Sequence, residues 1–204
     1  IVRGATLTTG RNGISNSAYY FDGTTSHISL GVKPMLKPNA ASISVWVKPH
    51  TFNSYTGGNA NCIFLTKNPN NPGSYMEAYS LYLTNRSGPT KFMTVCTHQP
   101  TTNEKWFQSV QNTNLNQWTH LVLTFDFDSL RLYINGQLDN KTYKGFNNVY
   151  DALDSIMIGY SANTMNKNYF KNSAFLVLKV QPVTWFFQQV GKVMSKIEGF
   201  AKEG

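Results

Sequence analysis

The sequence is poor in cysteine, in charged residues and in long apolar runs, and each shortage excludes a class of protein. Only 14% of the residues are charged, below the roughly 25% that is usual in globular proteins. The longest apolar stretch, Ala174 to Val180, contains Lys179 and is far shorter than the roughly 20 residues of a membrane-spanning helix. We therefore expect no membrane span. The chain of 204 residues is long enough for one hydrophobic core and short for two.

The two cysteines, Cys62 and Cys96, fit no zinc pattern, because they form no CxxC pair and lack suitably spaced histidines. Each lies in an apolar, strand-like segment, where a cysteine commonly serves as a small buried hydrophobic residue. A disulfide between them is the alternative, and the sequence leaves both open.

Catalytic motifs are absent too. The sequence has no GxSxG, no HExxH and no glycine-rich phosphate loop. Glycoside hydrolysis needs two carboxylates across the scissile bond, but Glu77 and Glu104 each lack a second acid two to four residues away. The alternating pair Asp126 and Asp128 ends a predicted strand, where a turn role is favoured. We expect a protein that is not an enzyme.

Positive charge is in excess but scattered. Lysine and arginine number 18 against 10 acids, a formal charge of +8, yet no run of five like charges occurs. Nucleic-acid binding is not expected, because phosphate affinity needs cations gathered on one face. The charge slightly favours acidic glycans as partners.

Aromatic residues and asparagine are plentiful. The chain has 11 Tyr, 13 Phe, 4 Trp and 22 Asn, which excludes disorder and indicates many tight turns. It begins at Ile1 without a basic segment and apolar signal core, as we expect of a mature or excised domain.

Short β-rich segments separated by turn residues predict an all-β sandwich. In Ser42 to Val47, alternate residues share a face, and we place Trp46 and Trp118 in the core. Asn135-Gly136 predicts a type I′ hairpin. The predicted strands are 18–21, 27–30, 41–47, 62–66, 79–83, 91–97, 105–108, 119–126, 130–134, 137–143 and 155–158.

Long polar stretches at 52–61, 67–75, 97–104 and 161–171 are where a rigid sandwich would carry function. From Pro182 the apolar residues recur with a period of 3.6, which predicts an amphipathic helix over 182–204 that packs on a domain of residues 1–181. Membrane-surface binding and self-association of this tail are the alternatives.

Several segments, taken in order, resemble the laminin-G-like, concanavalin A-like jelly-roll modules of bacterial and other extracellular proteins. They span roughly residues 5 to 170, and they are GISNSAYYFDG (13–23), ISVWVKP (43–49), YSLYL (79–83), QWTHLVLTF (117–125), LRLYINGQL (130–138) and IGY (158–160). The resemblance implies two curved antiparallel sheets stacked in a jelly roll. It also implies an extracellular or cell-surface location and a role in carbohydrate binding or cell adhesion.

The resemblance fails after Asn168-Tyr-Phe170. Such modules usually continue into an Ile-Asp-Asp strand, and members often bind a structural Ca²⁺ near the Asp-Gly turn with carboxylate help from that strand. Here the corresponding text, Lys171 to Val180, has no acid. Asp22 and Gly23 are the candidate metal site, and calcium is weighed against a plain turn role for Asp22, since Ca²⁺ wants six to eight oxygens.

Saccharides are held by aromatic faces and by amide or carboxylate groups. Our candidate ligand-binding residues are Asn53, Tyr55, Asn59, Asn70, Tyr75, His98, Asn103, Trp106, Tyr160, Asn163 and Tyr169. The first hypothesis is a non-catalytic module that binds a glycan or glycoprotein. The second is a structural or protein-interaction spacer, and a glucanase-type hydrolase is the third.

Overall fold

The structure is a computed structural model, and it describes residues 1–31, 40–51, 61–67, 77–85, 88–97, 104–146, 149, 156–162, 167–169 and 173–182. In these residues the regular elements are antiparallel β-strands arranged in two seven-stranded sheets and one two-stranded sheet. The predicted all-β, two-sheet sandwich is therefore confirmed. Within the described ranges no helix has the length and apolar character that a membrane crossing requires. The predicted C-terminal helix and the domain boundary before it lie largely outside them.

The first sheet, called sheet I here, carries seven strands. In spatial order they are β1 (Val2–Arg3), β4 (His27–Ser29), β13 (Ile156–Ile158), β6 (Asn61–Lys67), β7 (Glu77–Thr84), β8 (Lys91–Thr97) and β9 (Glu104–Gln108).

Sheet II faces it. In spatial order its strands are β12 (Gln137–Tyr143), β11 (Ser129–Ile134), β10 (Thr119–Phe125), β5 (Ala41–Pro49), β16 (Ser173–Pro182), β3 (Ala18–Phe21) and β2 (Thr6–Thr8). A separate hairpin joins β14 (Tyr160–Ala162) to β15 (Lys167–Tyr169). Residues 161–171, expected to be one polar loop, thus contain strand structure, so that expectation was wrong in part.

The core lies between the two sheets and follows from the alternation of side chains along each strand. On β5, Ile43, Val45 and Val47 are fully buried, and Leu121 of β10 lies directly opposite Val45. Sheet I contributes apolar side chains such as Leu81 to the same core. Burying such side chains contributes about 1.5–3 kcal/mol each relative to leaving them exposed.

Two tryptophans that we expected in the core lie elsewhere. Trp46 alternates with Val45 and Val47, so its side chain stands on the outer face of sheet II, where it is half-buried. Trp118 precedes β10 and is also half-buried. The core expectation for these two residues was wrong.

The residues of the turn fix the hairpin between β11 and β12 as predicted. Asn135 and Gly136 have φ values of 49° and 84°, the left-handed conformations that a type I′ turn requires. The backbone N–H of His120 donates to the side-chain oxygen of Asn135 at 2.9 Å, and this bond ties the turn to β10.

The last strand keeps its place despite the altered sequence. β16 pairs with β5 on one side and with β3 on the other, so Ser173 lies opposite both Pro49 and Phe21. The strand character of this segment survives without the acids expected there, because the pairing is made by backbone groups.

Candidate functional site

Trp106 stands on the outer face of sheet I at its β9 edge. The register pairs Trp106 with Val95 and Phe107 with Thr94, and Phe107 points into the core with 8% exposure. Because adjacent residues on a strand face opposite ways, Trp106 points outward, and it is 46% exposed. An exposed indole on a sheet face can stack on the apolar face of a ligand.

Gln108 shares that outer face, two residues further along β9. It is half-buried, and its buried side-chain Nε2 has no hydrogen-bond partner among the described residues. Its backbone carbonyl accepts a hydrogen bond from Asn140 Nδ2 at 2.7 Å, which joins β9 of sheet I to β12 of sheet II. Gln108 therefore stands on the same face of β9 as the exposed ring of Trp106, with its amide nitrogen buried.

The middle of the outer face of sheet I is closed rather than open. Cys62 and Tyr82 are paired across β6 and β7, and they are 0% and 3% exposed. Met93 packs against both. Cys96 instead belongs to the core between the sheets. The two cysteines thus lie on opposite faces of sheet I and form no disulfide, which decides between the alternatives that the sequence left open.

An aromatic pair lies towards the other end of this sheet. The rings of His27 and Tyr160 are 5.3 Å apart between centroids and tilted by 36°. His27 Nδ1 is also 3.0 Å from the carbonyl oxygen of Thr25. Five strand spacings separate β4 from β9, roughly 24 Å, so the structure does not bring Tyr160 to Trp106.

Asp22 organises the turn between β3 and β4. Its Oδ1 accepts hydrogen bonds from the backbone N–H groups of Thr24, Thr25 and Ser26 at 2.8–2.9 Å, and its Oδ2 accepts from the Thr25 hydroxyl at 2.8 Å. Partial burial alone would raise the pKa of Asp22, but the donors at residues 24–26 hold it far below its usual value. Gly23 has a φ of 77° in this turn.

This arrangement does not fit a calcium ion. A cation needs converging oxygens, whereas three N–H groups converge on Oδ1 and point their positive ends at the place where a cation would sit. Within the described part of the chain, no three His, Cys, Asp or Glu side chains form a metal-binding group. The geometry supports the plain turn role of Asp22, and calcium at Asp22 and Gly23 stays an untested prediction.

Three described carboxylates accept hydrogen bonds from backbone N–H groups. Asp139 accepts from the N–H groups of Val110 and Gln111, and Asp126 accepts from those of Asp128 and Ser129. Burial alone would raise the pKa of Asp126, but its hydrogen bonds, foremost the one from Arg131, lower it. Together with Asp22, these groups hold turns and edges.

Most predicted ligand residues lie outside the described residues, namely Asn53, Tyr55, Asn59, Asn70, Tyr75, His98, Asn103 and Asn163. Tyr169 is described in its backbone, which pairs with Tyr160 across the β14–β15 hairpin. The roles of these residues stay predictions. Residues 98–103 connect β8 to β9, and the two strands meet at the pair Thr97 and Glu104, two residues before Trp106.

His27 was not among the predicted ligand residues. His27 alternates with the buried Ile28 on a short strand and therefore faces outward. The sequence alone does not show this, because the face on which a single histidine lies is unknown until the register of its strand is known.

Residues 22–173 match a laminin G-like family model described as the concanavalin A-like lectin/glucanases superfamily. The match spans well over half of the sequence, and the chain belongs to this superfamily. The resemblance seen in the sequence motifs is confirmed.

Solved structures share the fold at low sequence identity. One is domain 4 of an extracellular arabinanase from Geobacillus stearothermophilus in complex with arabinotriose, with a TM-score of 0.57 and 21% identity over 87% of this chain and 75% of that one. Another is the binding domain of Paraclostridial mosquitocidal protein 1, with a TM-score of 0.69 and 11% identity over 97% of this chain and 47% of that one. No curated protein matches the sequence.

A third is the binding domain of botulinum neurotoxin DC in complex with SialylT, with a TM-score of 0.64 and 12% identity over 97% of this chain. The present chain spans about 46% of that domain, so it corresponds to less than half of it. At these identities the likeness establishes the fold. The two toxin neighbours are described as binding domains, and the first neighbour is one domain of an arabinanase.

Proposed function

We propose that this chain is a non-catalytic carbohydrate-binding module of an extracellular or cell-surface protein. The observation that carries the proposal is the 46% exposed indole of Trp106 on the outer face of sheet I, with Gln108 beside it. A planar aromatic face stacks on the C–H groups of a sugar ring. Adhesion to a glycan or glycoprotein follows from the same chemistry.

The family and its neighbours support this proposal. The superfamily takes its name from lectins and glucanases, and one neighbour holds arabinotriose while another holds SialylT. The described carboxylates Asp22, Asp126 and Asp139 are engaged in hydrogen bonds to the backbone, which favours binding over acid–base hydrolysis.

A glycan array probed with the purified chain tests the proposal. We expect saturable binding to a defined saccharide, with affinity at least about tenfold lower for Trp106→Ala and largely retained for Trp106→Phe. Val110→Ala is the matched control, because Val110 lies just beyond β9 and is 66% exposed. Absence of saccharide binding would favour the spacer role instead.

The hydrolase alternative has its own readout. Incubation of the bound oligosaccharide with the chain should release no new reducing ends. Release that survives purification to homogeneity and disappears on substituting Glu77 or Glu104 would establish a glucanase.

A further inference from the structure

The loop between β2 and β3, residues 9–17, reaches over the outer face of sheet II through Arg11. The guanidinium carbon of Arg11 lies 4.4 Å from the centroid of the Trp46 indole, within the range of a cation–π contact. The imidazole of His120 stacks on the same indole, with ring centroids 4.8 Å apart and planes 18° from parallel. A permanent cation and a titratable ring therefore share one indole, and they lie within roughly a Debye length of each other, about 8–10 Å.

His120 is held in place by groups that carry no charge. Its Nε2 lies 2.8 Å from the hydroxyl oxygen of Ser44, and its backbone N–H donates to Oδ1 of Asn135 at 2.9 Å. His120 is only 6% exposed. Because these contacts fix it to strands on both sides, the imidazole cannot easily move away from Trp46.

The surroundings of His120 offer no counterion to a proton. No Asp or Glu occurs in β5, β10, β11, β16 or the 9–17 loop. The charged residues of these elements are all cations, namely Arg11 of the loop, Lys48 of β5, Arg131 of β11 and Lys179 of β16. Asp126, the acid directly after β10, is bonded to Arg131 at 2.6 Å. Burial, followed by the charge of Arg11, lowers the pKa of His120.

The 9–17 loop is folded on itself. Its base is closed where Thr8 of β2 pairs with Ala18 of β3. Inside it, the Ser17 hydroxyl donates to the carbonyl oxygen of Ile14 at 2.7 Å. The side chain of Ile14 is 52% exposed and so packs little against the sheet. The loop can therefore leave sheet II as a unit, without breaking the pairing of any strand.

We propose that the 9–17 loop is an acid-released strap, which leaves the outer face of sheet II when His120 gains a proton and so uncovers the indole of Trp46. The imidazolium and the guanidinium would then be two like charges on one indole. Since His120 is fixed on β10, the guanidinium of Arg11 on the loop is the group that moves away. The strap goes beyond the glycan binding proposed at Trp106, which lies on the other sheet.

Hydroxyl-radical footprinting of the full chain, read by mass spectrometry at about pH 7.5 and about pH 5.5, tests the strap. Closure is complete above the usual histidine pKa of 6.5 and weakens below it, so at one unit lower the ratio of closed to open loop should fall by up to about tenfold. Labelling of Trp46 should then rise at least about twofold. Trp106, already 46% exposed, is the internal reference, and the fully buried Phe21 reports global unfolding.

Three variants complete the experiment. His120→Gln keeps a polar group beside Ser44 but takes up no proton, so labelling of Trp46 should stay low at both pH values. Arg11→Ala should give high labelling at both, because the guanidinium is gone. His50→Gln is the matched control and should respond as the unmodified chain does.

The proposal is overturned by any of three results. They are labelling of Trp46 that does not change with pH, a rise that is equally large in His120→Gln, and a rise that occurs only together with labelling of Phe21. The last result would mean that acid unfolds the whole domain rather than releasing the strap.

Discussion

The indole of Trp46 stacks on the imidazole of His120, with ring centroids 4.8 Å apart and planes 18° from parallel. The guanidinium carbon of Arg11 lies 4.4 Å from the centroid of the same indole, and His120 Nε2 is 2.8 Å from the Ser44 hydroxyl oxygen. The stack fastens the segment between β2 and β3 to the outer face of sheet II. Trp46 is therefore a tie between a loop and a sheet rather than part of the core.

This stack makes stability sensitive to acid. Burial, followed by the charge of Arg11, lowers the pKa of His120 below its usual value of 6.5. The folded state thus prefers neutral His120. The stabilisation that depends on neutral His120 is complete above pH 6.5 and is lost as the pH falls below that value. The free energy of unfolding, measured in urea, should decrease from about pH 7.5 to about pH 5.5. This decrease should be smaller for His120→Gln than for the unmodified chain.

The control for this experiment is His50→Gln, because His50 is a half-buried histidine that directly follows β5 and is hydrogen-bonded to Asn116, away from the stack. It should keep the decrease in full. An equal decrease in all three proteins would assign the acid sensitivity to other groups.

Trp46→Ala should lower the free energy of unfolding by about 2 kcal/mol at neutral pH, because it removes the stack.

Lys144 is a buried cation, and replacing it with an uncharged side chain should stabilise the protein. It is fully buried, and no described residue forms a hydrogen bond with its Nζ, although Nζ lies 4.9 Å from the centroid of the Phe146 ring. Burial lowers the pKa of Lys144 and outweighs the charges of Cys96, Asp126 and Asp128, which raise it. Lys144→Met keeps the length of the side chain and removes the charge, so we expect about 1–3 kcal/mol of added stability.

The pH dependence of that gain is the diagnostic measurement. Because the folded-state pKa lies below the usual 10.5, the penalty is absent above pH 10.5 and grows as the pH falls. The difference in unfolding free energy between Lys144→Met and the unmodified chain should therefore shrink at alkaline pH. Destabilisation by Lys144→Met at neutral pH would show that the ammonium group has a strong partner.

Calcium dependence is testable at the turn of residues 22–26. Since the carboxylate of Asp22 is occupied by four donors, Ca²⁺ or a chelator should leave the melting temperature unchanged. Asp22→Ala should lower stability by about 1–2 kcal/mol through the lost hydrogen bonds. The pKa of Asp22 is lowered, so this contribution should persist above about pH 4 and vanish in stronger acid. A rise in melting temperature with Ca²⁺ that Asp22→Ala abolishes would restore the metal site.

Strong local signals were enough to predict most of the sandwich. Alternation along β5 and the Asn135-Gly136 turn each specify their structure within a few residues, and both were predicted correctly. The hairpin of β14 and β15 was missed, because three-residue strands in an asparagine-rich segment show no usable period.

Which aromatic faces outward could not be predicted from composition. Trp106 and Phe107 are neighbours on β9, and only the register with β8 decides that Phe107 enters the core while Trp106 faces out. A slip of one residue would exchange them. The burial of Lys144 and the exposure of Tyr143 were missed for the same reason, since both depend on where β12 ends.

Gly159 is a described glycine at which an added methyl group would collide with a buried core ring. A side-chain carbon there would lie 2.5 Å from both Cδ1 and Cε1 of Phe21, and Phe21 is a fully buried core ring that cannot move cheaply. Gly159 also has a φ of 80°. Gly31 is the matched control, because its φ is 74° and no atom of the described residues lies within 4 Å of an added carbon. Gly31→Ala should cost about 1–2 kcal/mol for the left-handed backbone alone, and Gly159→Ala at least about 2 kcal/mol more from the clash. Equal losses in chemical denaturation would mean that Phe21 can shift and that the core at this point is less tightly packed than the contact implies.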